Sequence, residues 1–419
     1  MEIAARPDRA IADLRALADL TGGPGGARRL CWTAEWDNAR GFLRERLGEL
    51  PVSVDVDEAG NLWARLEGAR PETVVIGSHI DSVPSGGWLD GALGVLGALE
   101  VLRTIAEAGT PPCSVSLIDF ADEEGARFGR SLFGSSWLSG SIKPDDVRDL
   151  RDAAGDRLAD VVGEYGVDLD RAHVAAGRLA GVRAYLELHI EQGPVLEAAG
   201  LAVGTVLGTF GVERHRIVFT GQAAHSGSTP MPVRRDSFLA ASRFALAARD
   251  GAVRHKGVAT VGSAECVPGV ATVIPGVTTV LLDQRHLDAG ELATMLAEAK
   301  ASADEAAAAE KCTVEWDRIW QIEPIPFDPD LIAAARAACR AVSGTDQALP
   351  SGPLHDAAEM ARLVPTVMLF SSSTNGISHA KEEDTPIEHL ELAIRAYAQT
   401  VGHAVDLAAA GEFRKGREP

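Results

Sequence analysis

The apolar positions along this chain follow two periods. Residues 5 to 20 and 33 to 50 carry apolar side chains at the 3.6-residue spacing of a helix. Val52–Asp57 and Leu62–Leu66 flank Glu58-Ala59-Gly60-Asn61, which predicts a hairpin. Thr73–Gly77, Ser114–Phe120 and Ala184–Leu188 are short β-rich runs of the kind buried inside an α/β sheet. Gly91–Ile105 predicts a helix. Residues 143 to 182 are heavily charged and predict a solvated helical excursion.

From about residue 209 to 325 the order of elements changes. The pattern predicts strand 213–220, helix 233–249, strand 257–265, strand 277–286, helix 289–308 and strand 312–319. That βαββαβ order fits a ferredoxin-like sandwich, a separate α+β domain. Gly208 and Gly211 precede it, and Pro324 and Pro326 follow it. Beyond it the pattern returns to helix Pro329–Ser343, strand Thr366–Phe370 and helix Glu388–Ala408. The simplest reading is one α/β domain, residues 1–208 and 326–419, interrupted by a second domain at 209–325. No internal repeat or low-complexity tract is present.

Composition narrows the class. The 419 residues suffice for two domains, and 46% hydrophobic residues exclude a disordered chain. The formal net charge of -20 opposes binding to nucleic acid or anionic membrane. The charged N-terminal stretch MEIAARPDRAIADL is unlike a signal peptide, and no apolar run has the length of a membrane span. A cytoplasmic location is expected. Cys31, Cys113, Cys266, Cys312 and Cys339 are scattered, which predicts buried free thiols in a reducing compartment.

The candidate chemistry sits where strands end, the place where open α/β sheets bind ligands. Thr73–Gly77 runs into Ser78-His79-Ile80-Asp81, and Ser114–Phe120 into Ala121-Asp122-Glu123-Glu124. Ala184–Leu188 runs into His189-Ile190-Glu191-Gln192, and Thr366–Phe370 leads to Ser378-His379. Asp90 stands just before the helix that opens at Gly91. Imidazoles and carboxylates converging on one crevice suit zinc and similar transition ions. Two ions need a shared ligand, and Asp90 can offer one oxygen to each. Of the adjacent pair Glu123 and Glu124, one can ligate while its neighbour serves as general base. Asp81, two residues after His79, suits an acceptor for that ring's N–H.

These motifs resemble the M20 metallopeptidase clan, in particular its branch of N-carbamoyl-L-amino acid hydrolases, allantoate amidohydrolases and β-ureidopropionases. GSHIDSVPSGGWLDGALGV, DEEGARFGRSLFGS, ELHIEQGPVLE, AAHSGSTPM, VIPG with DQRH, and NGISHAKEE occur in the branch's order across nearly the whole chain. The resemblance implies a mixed-sheet, zinc-peptidase-like catalytic domain with an inserted lid and dimerisation domain. It implies His79 and His189 as ligands of one metal, Glu124 and His379 of the other, and Asp90 between them. Glu123 would be the base. Gln192, Arg285 and His355 would contact substrate, Arg285 by pairing with a carboxylate. His225 would reach the active site of the neighbouring subunit in a homodimer and stabilise the oxyanion. Two divalent ions are implied (zinc, manganese, cobalt or nickel), with a small ureido or amide substrate. His215, His255, His286, His389 and His403 are expected to be structural or on the surface.

Three positions depart from the branch's usual pattern. Thr272 replaces an Asn before VIPG that would share the substrate carboxylate. Ala224 replaces an Asn before His225, and Leu354 replaces a Gly before His355. All three bear on substrate identity and leave the reaction type alone. Thr offers a single hydroxyl in place of an amide, so the carboxylate contact would be weaker or bridged by water. The rival readings are an aminoacylase or dipeptidase of the same clan, a two-metal phosphoesterase, and a metal-free binding module.

Overall fold

The computed structural model describes residues 1–413, so the end of the second α/β stretch placed at 419 lies outside the described residues. The chain forms two compact units, Met1–Leu207 with Phe327 onward, and Gly208–Pro326.

The first unit is built on a mixed sheet. Its strands are β1 (Ser53–Val56), β2 (Leu62–Leu66), β3 (Thr73–His79), β4 (Ser114–Phe120), β5 (Val182–Ile190), β6 (Val203–Thr209), β7 (Ala348–Ser351) and β8 (Thr366–Ser371). They lie in the order β1-β2-β4-β3-β5-β8-β6, with β7 pairing β6. The inner pairs β4·β3, β3·β5 and β5·β8 are parallel. The flanking pairs β1·β2, β2·β4 and β8·β6 are antiparallel. Parallel pairing brings the carboxyl ends of β3, β4, β5 and β8 to one edge, where the metal-type residues cluster.

Every residue of β3, β4 and β8 is buried, so both faces of the inner sheet are covered. Helix Ala92–Ala108 packs on β3, β4 and β5, and helix Ile387–Ala410 on β3, β5 and β8. The first of these buries Leu93, Val95, Leu96, Leu99, Val101, Leu102 and Ile105, apolar nearly all round as its double-sided burial demands.

One buried ion pair ties this core to the site. Arg40 donates from Nε to Asp119 Oδ2 at 2.7 Å, and from Nη2 and Nη1 to the carbonyls of Asp119 (3.0 Å) and Gly60 (2.6 Å). Asp119 Oδ1 in turn accepts the N–H of Ile80 at 2.8 Å, one residue past His79. Removing one partner of such a pair strands a buried charge. Arg40→Met is therefore expected to lower stability by about 3–5 kcal/mol. The midpoint of urea unfolding checks this, and a shift equivalent to under ~1 kcal/mol would contradict it.

The second unit is a four-stranded antiparallel sheet. Its strands are Thr313–Ile322, Gly211–Thr220, Val277–His286 and Val258–Val267 in spatial order, with helices Ser237–His255 and Ala289–Ala309 packed together on it. By chain position that order is fourth-first-third-second. Ile217, Phe219, Phe244, Val280, Leu282 and Ala303 form its core. A short ribbon pairs Ala224–His225 with Val273–Ile274.

Several elements differ from the pattern-based expectation. Residues 143 to 182 are helical and largely solvent-exposed as expected, but they also contribute to the core. They form Pro144–Val147, Leu158–Glu164 and a 3₁₀ turn Ala172–Leu179, and they bury Val147, Leu158, Val162, Val167, Leu169 and Ala172 in the main core. Their charged side chains pair with one another, as in Arg148–Asp170 and Arg157–Asp160, and so stay outward while the apolar ones pack inward. Helix Ser237–His255 starts later than expected, because Asp236 caps it by accepting the N–H groups of Phe238 and Leu239. All five cysteines are free, but only Cys31, Cys113 and Cys339 are buried; Cys266 and Cys312 are half-buried. No described helix is long and apolar enough to cross a membrane.

Candidate metal centre

Each candidate ligand is placed by a local device. His79 is the last residue of β3, and its Nδ1 lies 3.2 Å from the Asp81 carbonyl and 3.4 Å from Asp81 Oδ1. Asp81 thus sits where an acceptor for that ring was expected. Its carboxylate also accepts the N–H groups of Glu123 (3.3 Å) and Glu124 (3.2 Å), joining the end of β3 to the turn after β4. His189 lies in β5, and its Nδ1 is 2.9 Å from the Ile190 carbonyl. That acceptor holds the ring proton on Nδ1 and leaves Nε2 as a lone-pair donor. Asp90 is set by Gly91, whose φ is +63°; a Cβ there would come within 2.4 Å of His79 Cε1, so only glycine fits. His379 follows Ser378 in a left-handed conformation, φ +56°, and its side chain is half exposed.

These side chains form two groups that share one residue. Ligand atoms of His79, Asp90 and His189 lie within 4.8 Å of one another, and so do those of Asp90, Glu124 and His379. Asp90 divides its oxygens between them. Oδ1 is 3.2 Å from His189 Nε2 and 4.0 Å from His79 Nε2, while Oδ2 is 3.3 Å from His379 Nε2. Glu124 Oε2 is 3.4 Å from His379 Nε2.

The donor set fits divalent cations. His189 Nε2 and Glu124 Oε1 are buried without a hydrogen-bond partner, a costly state that a cation would relieve. The electrostatics agree. Burial and the Asp90 carboxylate push Glu124 up to about 7. The bond to Asp90 raises His379 to about 9 despite partial burial. Protons here take places that a cation would otherwise fill.

A third group, Glu187, His189 and His355, also lies within metal-binding distance. The Glu187 carboxylate is already committed: it accepts from Ser78 Oγ (2.7 Å), Tyr185 Oη (3.0 Å) and Ala357 N (3.1 Å). His355 instead packs its ring 4.4 Å from that of His189 and keeps Nε2 without a partner.

Glu123 stays outside both metal-type groups. It is buried, with Oε2 3.7 Å from His79 Nε2. Burial raises its carboxyl well above the usual range, and Asp356 and Glu124 add to this against the pull of His79. Gln192, with φ +56°, donates from Nε2 to Asp90 Oδ2 at 3.0 Å and to Ser378 Oγ at 3.1 Å. It therefore also touches the shared carboxylate, beyond the substrate contact expected of it.

Three of the expected residues lie in the second unit. His225 and Thr272 are neighbours there, because the ribbon pairs His225 with Val273 and the Thr272 carbonyl accepts the N–H of Ser226 at 2.9 Å. His225 Nδ1 accepts from Gly227 N (3.0 Å) and Ser228 N (3.2 Å). The neutral ring must then carry its proton on Nε2, turned into a donor. Arg285 lies on Val277–His286 and donates from Nε to Asp283 Oδ1 at 2.7 Å; Arg214 holds the other oxygen of Asp283 at 2.6 Å.

Two side chains near the shared carboxylate were not singled out from the sequence. Glu383 lies in NGISHAKEE beside Glu382, and only the fold reveals that Glu383 is buried while Glu382 is exposed. Arg29 is fully buried; its Nε donates to the Ile80 carbonyl at 2.7 Å, and burial pulls its pKa down against the fields of Asp90 and Glu383. A lone arginine between Gly-rich and helical segments gives no pattern to find it by.

Comparison with known proteins identifies the family. The model of peptidase family M20/M25/M40 matches residues 75–403. An N-carbamoyl-L-amino acid amidohydrolase of Geobacillus stearothermophilus is 37% identical over 90% of this chain and 93% of its own length. An allantoate amidohydrolase of Escherichia coli is 35% identical over 89% of this chain and 92% of its own length. The crystal structure of an amidase of the hydantoinase/carbamoylase family from Burkholderia multivorans is 34% identical, with a TM-score of 0.86 over 97% of this chain and 98% of that one. With a mixed α/β sheet, clustered metal-type ligands and these relatives, the chain belongs to peptidase family M20/M25/M40.

Proposed function

We propose that this chain is a metal-dependent amidohydrolase that cleaves a linear C–N bond other than a peptide bond, in an N-carbamoyl-L-amino acid or a related ureido acid. The observation that carries the reading is Asp90, whose two oxygens face two separate groups of histidine and carboxylate ligands. In this reading His79 and His189 would hold one divalent ion and Glu124 and His379 the other, with Asp90 offering an oxygen to each group. When bound, the ions supply Lewis-acid activation of water and of the scissile carbonyl.

The remaining steps fall to the protein's own side chains. Glu123, held at the edge of the ligand groups, takes a proton from the attacking water and returns it to the leaving nitrogen. Asp81 fixes the turn that aims Glu123. Arg285, its guanidinium oriented by Asp283, pairs with the substrate carboxylate. His225 offers Nε2–H to the oxyanion, a donor role set by its two backbone contacts at Nδ1. In the proposed assembly it acts in a second copy of the chain, and residues 209–325 serve as lid and dimerisation domain. Gln192, His355 and Thr272 contact the substrate. A carbamoyl substrate yields the amino acid, carbon dioxide and ammonia.

The test is ammonia release by metal-loaded protein from N-carbamoyl-L-amino acids, β-ureidopropionate and allantoate, beside N-acyl amino acids and dipeptides. Turnover of a ureido acid with release of ammonia is expected. Fastest turnover of allantoate would move the assignment to the second relative's named activity. Turnover confined to N-acyl amino acids or dipeptides would overturn the reading.

A further inference from the structure

The shared carboxylate Asp90 and the candidate ligand His379 come from segments almost three hundred positions apart in the chain. Something must hold them in register. Asp90 belongs to the turn before helix Ala92–Ala108, and His379 to the loop after β8. Glu383 touches both. Its Oε1 accepts the N–H of Asp90 at 3.0 Å and of Leu89 at 3.2 Å. Its Oε2 accepts the hydroxyl of Ser378, the residue before His379, at 2.9 Å. Ser378 closes the circuit, lying 3.4 Å from Asp90 Oδ2 and accepting from Gln192 Nε2 at 3.1 Å.

The chain makes room for this carboxylate. Glu383 is 2% exposed. A Cβ on Gly87 would come within 2.0 Å of Glu383 Oε1 and 2.2 Å of its carboxyl carbon, so only glycine at position 87 leaves space for that carboxylate. Burying a carboxylate beside Asp90 costs free energy, and its three protein hydrogen bonds offset only part of that cost. An apolar side chain would serve packing alone at a smaller cost. The expense is intelligible if the group must hold two ligand-bearing segments at a fixed separation.

We infer that Glu383 is a positioning residue that clamps the Asp90 turn to the Ser378-His379 loop and thereby builds the ion site formed by Asp90, Glu124 and His379. The other site, formed by His79 and His189 with Asp90, depends on it less. Its two histidines are set by Asp81 and by Ile190, outside the reach of Glu383. This inference rests on the two-ion reading above.

The experiment counts manganese ions per chain and measures their affinities by calorimetric titration of metal-stripped, full-length protein. Unaltered protein is expected to bind two ions. Glu383→Ala should retain one tight ion and weaken the other by about 10–100-fold, the range for groups that orient a ligand. Glu383→Gln keeps an oxygen for the Leu89 and Asp90 N–H groups and should recover most of that loss. Ser378→Ala removes a single link and should weaken the same ion by about 10-fold. It decides the matter if Glu383→Ala does not fold. Two ions bound at unaltered affinities in the variants would overturn the inference, as would an equal loss at both sites. If unaltered protein binds fewer than two ions, the two-ion reading fails and this inference falls with it.

Discussion

Under the proposed mechanism, Glu123→Ala is expected to keep its divalent metal and lose turnover by about 10²–10⁴-fold, or roughly 3–5 kcal/mol of barrier. The separation of the two effects follows from position. Glu123 belongs to neither ligand group, so its removal leaves every ligand atom in place. Yet it is buried 3.7 Å from His79, at the edge of the ligand groups, as the proposed base role requires. Glu123→Gln should behave alike, because an amide matches the shape and cannot take a proton. Ion content by mass spectrometry and ammonia release measured on the same sample give the answer. Near-normal turnover with ions bound would remove Glu123 from the role.

Asp90→Ala should be the more destructive change, since it takes a ligand from both groups at once. Affinity for divalent ions is expected to fall by more than about 100-fold, the upper end for residues that merely support a ligand, and activity with it. Binding in the unaltered protein should also depend on pH with a definite sign. In the ion-free protein, Glu124 titrates near 7 and His379 near 9, both above their ordinary values. A raised pKa means that the folded state holds its proton more tightly than the unfolded chain. That stabilisation is fully present below the ordinary values, and it is lost as pH rises through about 7 and about 9. Ions displace those same protons. The gain in melting temperature on adding manganese should therefore grow from about pH 5.5 to 8. A gain that is flat or shrinks over that range would contradict the assignment of these two residues as ligands.

Much of this was legible in the sequence because the chemistry sits on elements with strong patterns. Ser114–Phe120 and Val277–His286 have the boundaries that alternation and β-branched residues predict. His79 and His189 stand at the ends of such runs and Glu124 follows one within a turn, so finding the strand end finds the candidate. Elsewhere the signal was weak for physical reasons. Val203–Thr209 is a buried strand rich in Gly, Thr and Val, and its end runs into a turn-like Gly-Thr-Phe-Gly that masks it. Phe133–Ser139 is a helix of seven residues, too short to show a period. In residues 143 to 182 the density of charge hid apolar positions that reach the core. Glu383 illustrates a different limit. Its partners at Leu89, Asp90 and Ser378 are joined to it only by the tertiary fold.

The interruption of the first unit has a consequence for how the protein is made. The N–H of Phe327 donates to the Leu207 carbonyl at 3.0 Å, so the chain leaves that unit and re-enters it at one place. The inserted unit is contiguous, and its strands and helices have all emerged once residue 326 leaves the ribosome. The first unit must wait. β8 lies between β5 and β6, and its residues Thr366–Ser371 are synthesised after every other strand of that sheet. At about 5–20 residues per second the nascent chain spends seconds with a gap in its central sheet and two unpaired strand edges facing it. His379 follows still later, so the ligand groups are completed only as the sheet closes. During that interval the exposed edges of β5 and β6 are natural points for chaperone capture, and aggregation during synthesis should begin there.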